Sequence, residues 1–325
     1  MPPAIPPPRP LYVNDGNHAM YEAQDAVQLC DVVMHNFCIP ADPVKLQAWL
    51  DKTFAVPSGG AVRYKLLGDK VFLSFAEIGK LYILNRGQPP KGYTSEIDIT
   101  IWVLAQREDD GLFAMRWIPA YLFVDSAPAM VNGREIWGFP KQIGQFNFSP
   151  KTPYPGAART FSSNGYVVSP FGPESPARWA PMFDARPLPP KDSAKNAGVL
   201  GSLEALAAKA VERLTGGFMS AAGGLQAAIG AGSVTMALLK QFPYATDPTL
   251  ASYQAIVETE AKINVLRGAG LTDNDYEARL ISYDSHPFLA ELGLSPDWQE
   301  VGQGLWVDMD FRQELGVEQW RANSL

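Results

Sequence analysis

From residue 25 onward, the order of apolar and polar positions changes period several times. Residues 25–40 (DAVQLCDVVMHNFCIP) read as a buried apolar segment. Between Pro43 and Phe54, Leu46, Trp49, Leu50 and Phe54 recur at helical spacing, and Asp42 stands where an N-cap belongs. A short amphipathic helix is predicted there. Strand patterns follow. Val71, Leu73 and Phe75 alternate with Phe72 and Ser74, and Ile97, Ile99 and Ile101 alternate with Asp98, Thr100 and Trp102. Residues 113–124 form a longer apolar run, read as a strand with Pro119 at an edge or bulge. Gln145 to Phe148 is a short strand candidate. Residues 150–195 are rich in Pro, Gly and Ser and read as loops and hairpins with short strand-like pieces.

The pattern changes at Ser202. SLEALAAKAVERLTGG has a capping serine, a helical stripe of Leu203, Leu206, Ala210 and Leu214, and a Gly-Gly stop. After Arg213 no charge occurs until Lys240. Glycine, alanine and the polar Gln226, Ser233 and Thr235 dilute that run, so a close-packed helix or lid is expected rather than a membrane span. Strand-like segments return at 236–242, 252–266, 277–283 and 303–310, and a helix is expected around 313–321. Many strands without regular βα alternation predict an α+β, mainly antiparallel sheet or barrel with helices to one side. One domain is expected over 25–325, expanded at about 150–235, after a proline-rich arm at 1–24.

Composition narrows the class. The chain has 325 residues, 46% of them hydrophobic, enough for a large core. Its 27 basic and 34 acidic residues give a net charge of −7, which disfavours nucleic acid as a partner. His18, His35 and His286 are far apart and only two cysteines are present, so no metal site is expected. No cofactor is expected either. The N-terminus, MPPAIPPPRP, lacks the apolar stretch of a signal peptide, so the expectation is a cytoplasmic protein without stable membrane insertion.

Chemistry concentrates in residues 132–146, NGREIWGFPKQIGQF. A Gly-Arg-Glu stretch and an aromatic-Gly-aromatic-Pro sequence deliver Lys141 into apolar company: Trp137, Phe139, Pro140, Ile143 and Phe146. Apolar surroundings disfavour an ammonium and favour the nucleophilic amine. An ordinary loop lysine lying along an apolar patch has the same local sequence, so chemistry alone leaves both open.

This segment resembles the signature of the acetoacetate decarboxylase family: a Gly-Arg-Glu turn, an aromatic-Pro dipeptide, then Lys, a hydrophobic residue and Gly. That enzyme is itself the standard example of a lysine activated by a neighbouring cation. The similarity extends to GYTSEIDITIWV (92–103), VFLSFAEIG (71–79), and the later 239–243 and 278–280 segments, in order along the chain. The resemblance implies a closed, cone-shaped β-barrel with peripheral helices and a helical insertion. It implies Lys141 as the Schiff-base lysine, Glu96 as a proton-moving acid and Glu77 as a second acidic residue. Arg134 and Glu135 would shape the turn. Trp137, Phe139, Tyr93 and Trp102 would surround a substrate more apolar than acetoacetate, with Gln142 and Arg134 beside it.

Two departures stand out. The family's decarboxylases carry a second lysine directly after the first, where this chain has Gln142. Their N-terminal arginine falls at Asp31-Val32-Val33, which holds none. Without them, burial would have to activate Lys141, helped by Arg134 or Arg116. The function implied is a Schiff-base lyase on a keto acid or aldehyde, foremost a β-keto acid decarboxylase, with aldolase, dehydratase or hydratase chemistry as the alternative. A non-catalytic binder of apolar molecules is the rival of another class. Homo-oligomers are common in the family and are expected here.

Overall fold

The computed structural model describes residues 25–84, 87, 89–90, 92–110, 115–152, 154–189 and 232–322. The arm at 1–24 and most of the 202–239 segment lie outside these residues. Twelve strands form one sheet: β1 (Val27–Pro40), β2 (Tyr64–Leu66), β3 (Lys70–Ile83), β4 (Thr94–Arg107), β5 (Met115–Val124), β6 (Lys141–Phe148), β7 (Phe161–Val167), β8 (Arg178–Pro187), β9 (Ser233–Tyr244), β10 (Asp247–Leu280), β11 (Gln299–Gln313) and β12 (Val317–Arg321). Three short helices accompany them: α1 (Pro43–Leu50), α2 (Ala127–Asn132) and α3 (Phe288–Leu292). Among the described residues no helix is long and apolar enough to cross a membrane.

Pairing runs β2-β4-β3-β1-β11-β10-β8-β7-β6-β5-β9, and β4–β5 and β10–β9 pair in addition. The path therefore returns on itself twice. One ring runs through β4, β3, β1, β11, β10, β9 and β5; β8, β7 and β6 bridge β10 to β5 on its flank. The β5–β6 and β5–β9 pairs are parallel, and the rest are antiparallel.

The ring is buried on both surfaces. On β3, Val71, Leu73 and Phe75 join the main core with Phe37, Phe123, Phe161 and Phe183. Phe72, Ser74, Ala76 and Ile78 face a cavity inside the ring. A strand with two apolar faces explains why both alternating sets of β3 are rich in large hydrophobic residues. The helix after Asp42 forms as expected. Its carboxylate accepts from Val44 N at 2.9 Å, and Leu46 and Leu50 turn inward. Phe54 follows in a π-helical turn and is also buried.

Two expectations about the C-terminal third change. The pieces at 252–266 and 277–283 are mostly one strand, β10, bent by register shifts around Gly268 and Leu271 and ending at Leu280. A Cβ at Gly268 would sit 3.1 Å from the Trp306 ring, so its glycine marks a close approach rather than a strand end. The helix expected at 313–321 is instead the end of β11 followed by β12. Gly316 lies where a Cβ would reach 2.3 Å from Val257 Cγ1, and Trp320 packs on the core from β12. Packing beside β10 wins over local helical propensity.

Candidate active site

Eight strands and α2 line a cavity of about 260 Å³. Its wall is mainly apolar, including Val32, Met34, Ile78, Leu81, Leu122, Val307 and Met309. Lys141 enters as the first residue of β6, held in register with Leu122 of β5. The segment before it is fixed by local geometry. Ser126 caps α2, the helix continues into a π-helical turn at Gly133–Trp137, and Gly138 then takes φ 91°. A Cβ on Gly138 would stand 2.5 Å from Lys240 Cβ, so chain reversal and close contact both demand glycine there. Trp137 donates its indole N–H to Glu314 O at 2.8 Å, tying the turn to the end of β11.

Lys141 Nζ lies 2.5 Å from Glu96 Oε1. The lysine side chain is 12% exposed and the glutamate 1%. The Phe139 ring centre is 5.9 Å from the ammonium. Glu96 Oε2 is buried with no hydrogen-bond partner among the described residues. Two residues along the same face of β4 stands Asp98, which also lines the cavity and accepts from Thr100 Oγ1 at 3.3 Å. Burial, then the neighbouring Glu96 charge, pushes the Asp98 carboxyl up to about 7. Asp125, at the edge of this group, accepts from Ile97 N at 2.8 Å, and burial raises its carboxyl as well.

The site residues read from the sequence divide into two groups. Lys141, Glu96, Trp137, Phe139 and Trp102 line the cavity. Glu77, Tyr93, Gln142 and Arg134 do not. Glu77 points to the opposite surface of β3, where its carboxylate pairs with Arg159, and Arg159 in turn donates to Ser149 O. Tyr93 is 55% exposed and packs on Tyr82. Gln142 turns away from Lys141, as neighbours on a strand must, and its Oε1 meets His286 Nε2 at 2.5 Å. Arg134 donates to the Lys141 carbonyl at 3.0 Å, supporting the main chain rather than the amine. Arg116 is likewise remote, bound to Glu258 and Asp110. Asp98 is the acid that the sequence reading passed over. Its signal was the period of two that puts it on the Glu96 face.

Comparison with known proteins now adds to the geometry. Residues 19–163 match the family model for acetoacetate decarboxylase. The chain has the acetoacetate decarboxylase-like fold. The acetoacetate decarboxylase structure from Legionella pneumophila is similar at TM-score 0.58 and 14% identity, covering 98% of this chain and 93% of that one. The enduracididine biosynthesis enzyme MppR, in its complex with pyruvate, is similar at TM-score 0.57 and 16% identity over 93% of each chain. An acetoacetate decarboxylase-like enzyme from Sphingomonas wittichii RW1 gives 0.56 and 13%, covering 95% and 98%. No curated protein matches the sequence. At these identities the likeness is one of fold. The sheet is that of the acetoacetate decarboxylase-like fold.

Proposed function

We propose that this chain is an imine-forming lyase in which Lys141 is the nucleophile. One observation carries the reading: the Lys141 amine sits against the buried Glu96 carboxylate inside a largely apolar cavity. In such a place Glu96 can take the proton that the ammonium must lose before attack. The freed lone pair adds to a carbonyl carbon, and water leaves to give an iminium. Asp98, protonated up to about pH 7, can supply the proton that the departing hydroxyl needs. The iminium then draws in the electron pair of an adjacent bond and becomes an enamine.

Loss of CO2 from a β-keto acid and carbon–carbon cleavage of an aldol both pass through that enamine. A structural relative of this fold, MppR, has been captured with the condensation product of pyruvate and imidazole 4-carboxaldehyde, so condensation products are accommodated on this fold. The residues assigned to the reaction are Lys141, Glu96 and Asp98, with Trp137, Phe139 and Trp102 shaping the apolar wall.

The test is borohydride reduction of the protein with a panel of carbonyl compounds, read by intact mass. A reduced adduct on the wild-type chain that disappears in Lys141→Ala is expected. Adducts that persist in Lys141→Ala would remove the lysine from its assigned role. No adduct with any compound, alongside tight binding of apolar ligands, would leave a binding protein.

A further inference from the structure

The register of β4, β3 and β1 stacks the cavity wall in rungs. Thr100, Ser74 and Asn36 form one; Asp98, Ala76 and Met34 the next; Glu96, Ile78 and Val32 the third. Beyond Glu96 the β3 and β1 positions are Leu81 with Leu29 and Ile83 with Val27, and Phe311 pairs with Leu29 from β11. Thr94 and Gln313 are the polar exceptions on that side, and the Gln313 amide donates to Thr259 Oγ1. From Ile78 to Ile83 the strand advances about 16 Å at the usual rise. An apolar passage of that length leads away from the amine.

The polar band around Lys141 is acidic and already bonded. Asn36 donates to Leu305 O at 3.2 Å, Ser74 donates to Asn36 Oδ1, and Thr100 donates to Asp98. The Glu96 carboxylate and the Asp98 carboxyl face the cavity, and among the described residues Lys141 is its one basic side chain. Val32 and Met34 occupy the β1 positions opposite them. A substrate carboxylate would be a second anion beside the one cation that already pairs with Glu96, stripped of water. It would also bring only acceptors to Glu96 Oε2, a buried acceptor with no donor among the described residues. A substrate hydroxyl would bring the missing donor.

We propose that the substrate is an uncharged β-hydroxy ketone or β-hydroxy aldehyde with an apolar chain, not a keto acid. The inference rests on the imine reading above. In the cleavage direction Lys141 forms the iminium at the carbonyl carbon, with loss of water. The proton that Glu96 took from the ammonium passes to Asp98 once water has left, so Glu96 is again a base and Asp98 again an acid. The β-hydroxyl gives its proton to Glu96, the Cα–Cβ bond breaks, and its electron pair moves into the iminium. An aldehyde leaves. The enamine takes a proton on its α-carbon from Asp98, and water hydrolyses the iminium to return Lys141 and a ketone or second aldehyde. One β-hydroxy carbonyl compound becomes two carbonyl compounds, with no oxidant or reductant.

The deciding comparison uses the full chain, borohydride, and a medium-chain γ-keto acid beside its methyl ester. The two have nearly the same shape and differ in charge. The ester is expected to label Lys141 at a concentration lower by about tenfold or more. A medium-chain β-hydroxy ketone is expected to release aldehyde, and Lys141→Ala to abolish the release. Val32→Arg, which places a cation across from Ile78, should narrow the ratio by improving capture of the acid. If that variant does not fold, the acid–ester comparison on the unaltered chain decides alone. Labelling by the acid as good as by the ester overturns the substrate class and leaves the imine standing. Ester labelling without cleavage of the hydroxy ketone overturns the hydroxy-carbonyl assignment. Absence of any adduct overturns both inferences.

Discussion

Gly133 lies directly against the aliphatic stem of Lys141. A Cβ at position 133 would stand 2.7 Å from Lys141 Cδ and 3.0 Å from Cε. The glycine's own backbone is helical, at φ −59° and ψ −43°, so an alanine fits the chain and loses only the space the lysine uses. Gly133→Ala should leave thermal stability unchanged or raise it by up to about 1 kcal/mol through helix propensity. The rate of imine trapping should fall by roughly 10- to 100-fold, because displacing a reacting atom by about 1 Å costs on that scale. Paired measurements of melting temperature and trapping rate check this. An unchanged trapping rate would show that the lysine does not depend on the glycine's missing side chain.

Asp98 gives the site a pH dependence whose direction follows from its surroundings. Unfolded, its carboxyl ionises near the ordinary aspartate value of about 3.9. Folded, it holds its proton up to about pH 7. Within that window the native chain binds a proton that the unfolded chain releases, so this group's contribution to stability falls as pH rises through it. Below the window the penalty is absent, and above it the penalty is complete. Asp98→Asn should therefore flatten the stability profile, gaining most over the wild type above pH 7. It should also slow the step that needs the acid by about 10²-fold or more. Denaturant titrations from pH 4 to 8 test the first statement. A variant that tracks the wild type at every pH would place the proton elsewhere.

Which parts of this site were readable beforehand depended on whether local order or register decides them. The apolar company of Lys141 was readable from the aromatic, glycine and proline residues around it, and the family resemblance then singled the lysine out. Glu96 was named by the resemblance of the segment GYTSEIDITIWV, not by the strand pattern itself. Glu77 was misplaced by a single position. Both surfaces of β3 are apolar, so alternation cannot say which one faces the cavity; only the pairing of Ile78 with Glu96 settles it. Asp98 was hidden in the same alternation that identified β4, since a polar residue among isoleucines reads as solvent-facing until the ring closes over it. The order of the strands was equally out of reach, because the contacts that close the ring join residues more than a hundred positions apart, as with Trp117 and Met236.

A second buried group of charges should govern stability without touching the chemistry. Glu258 accepts from Tyr64 Oη at 2.8 Å and lies 2.9 Å from Arg116 Nη2 and 3.4 Å from Arg107 Nη1. None of the four residues lines the cavity. Glu258→Gln leaves two largely buried arginines short of a partner, although Asp110 and Asp109 still hold their outer sides. The expected loss is about 3 kcal/mol, the lower end for a broken buried pair. Chemical denaturation measures it, and the trapping rate at Lys141 should stay within about twofold of the wild type. A large loss of trapping in a folded variant would mean that this cluster communicates with the cavity.

Position 142 invites an experiment that the sequence alone would have recommended: restoring the second lysine of the family's decarboxylases. The geometry argues against a gain. Successive side chains on a strand point to opposite surfaces. Lys141 turns into the cavity, while Gln142 turns to His286, whose Nδ1 meets Ser285 Oγ at 2.8 Å. Burial lowers the basicity of that imidazole, so it meets Gln142 as a hydrogen-bond donor through Nε2 and accepts from Ser285 through Nδ1. An ammonium at 142 has donors only, and it would face the imidazole N–H without an acceptor. Gln142→Lys should cost about 1–3 kcal/mol of stability from the broken hydrogen bond and the buried, poorly paired charge. The pH profile of trapping at Lys141 should keep its shape, since the added charge lies behind the strand and Glu96 still holds the amine. If the profile instead moves to lower pH by a unit or more, the side chain at 142 reaches the amine, and the orientation of β6 assigned here is wrong.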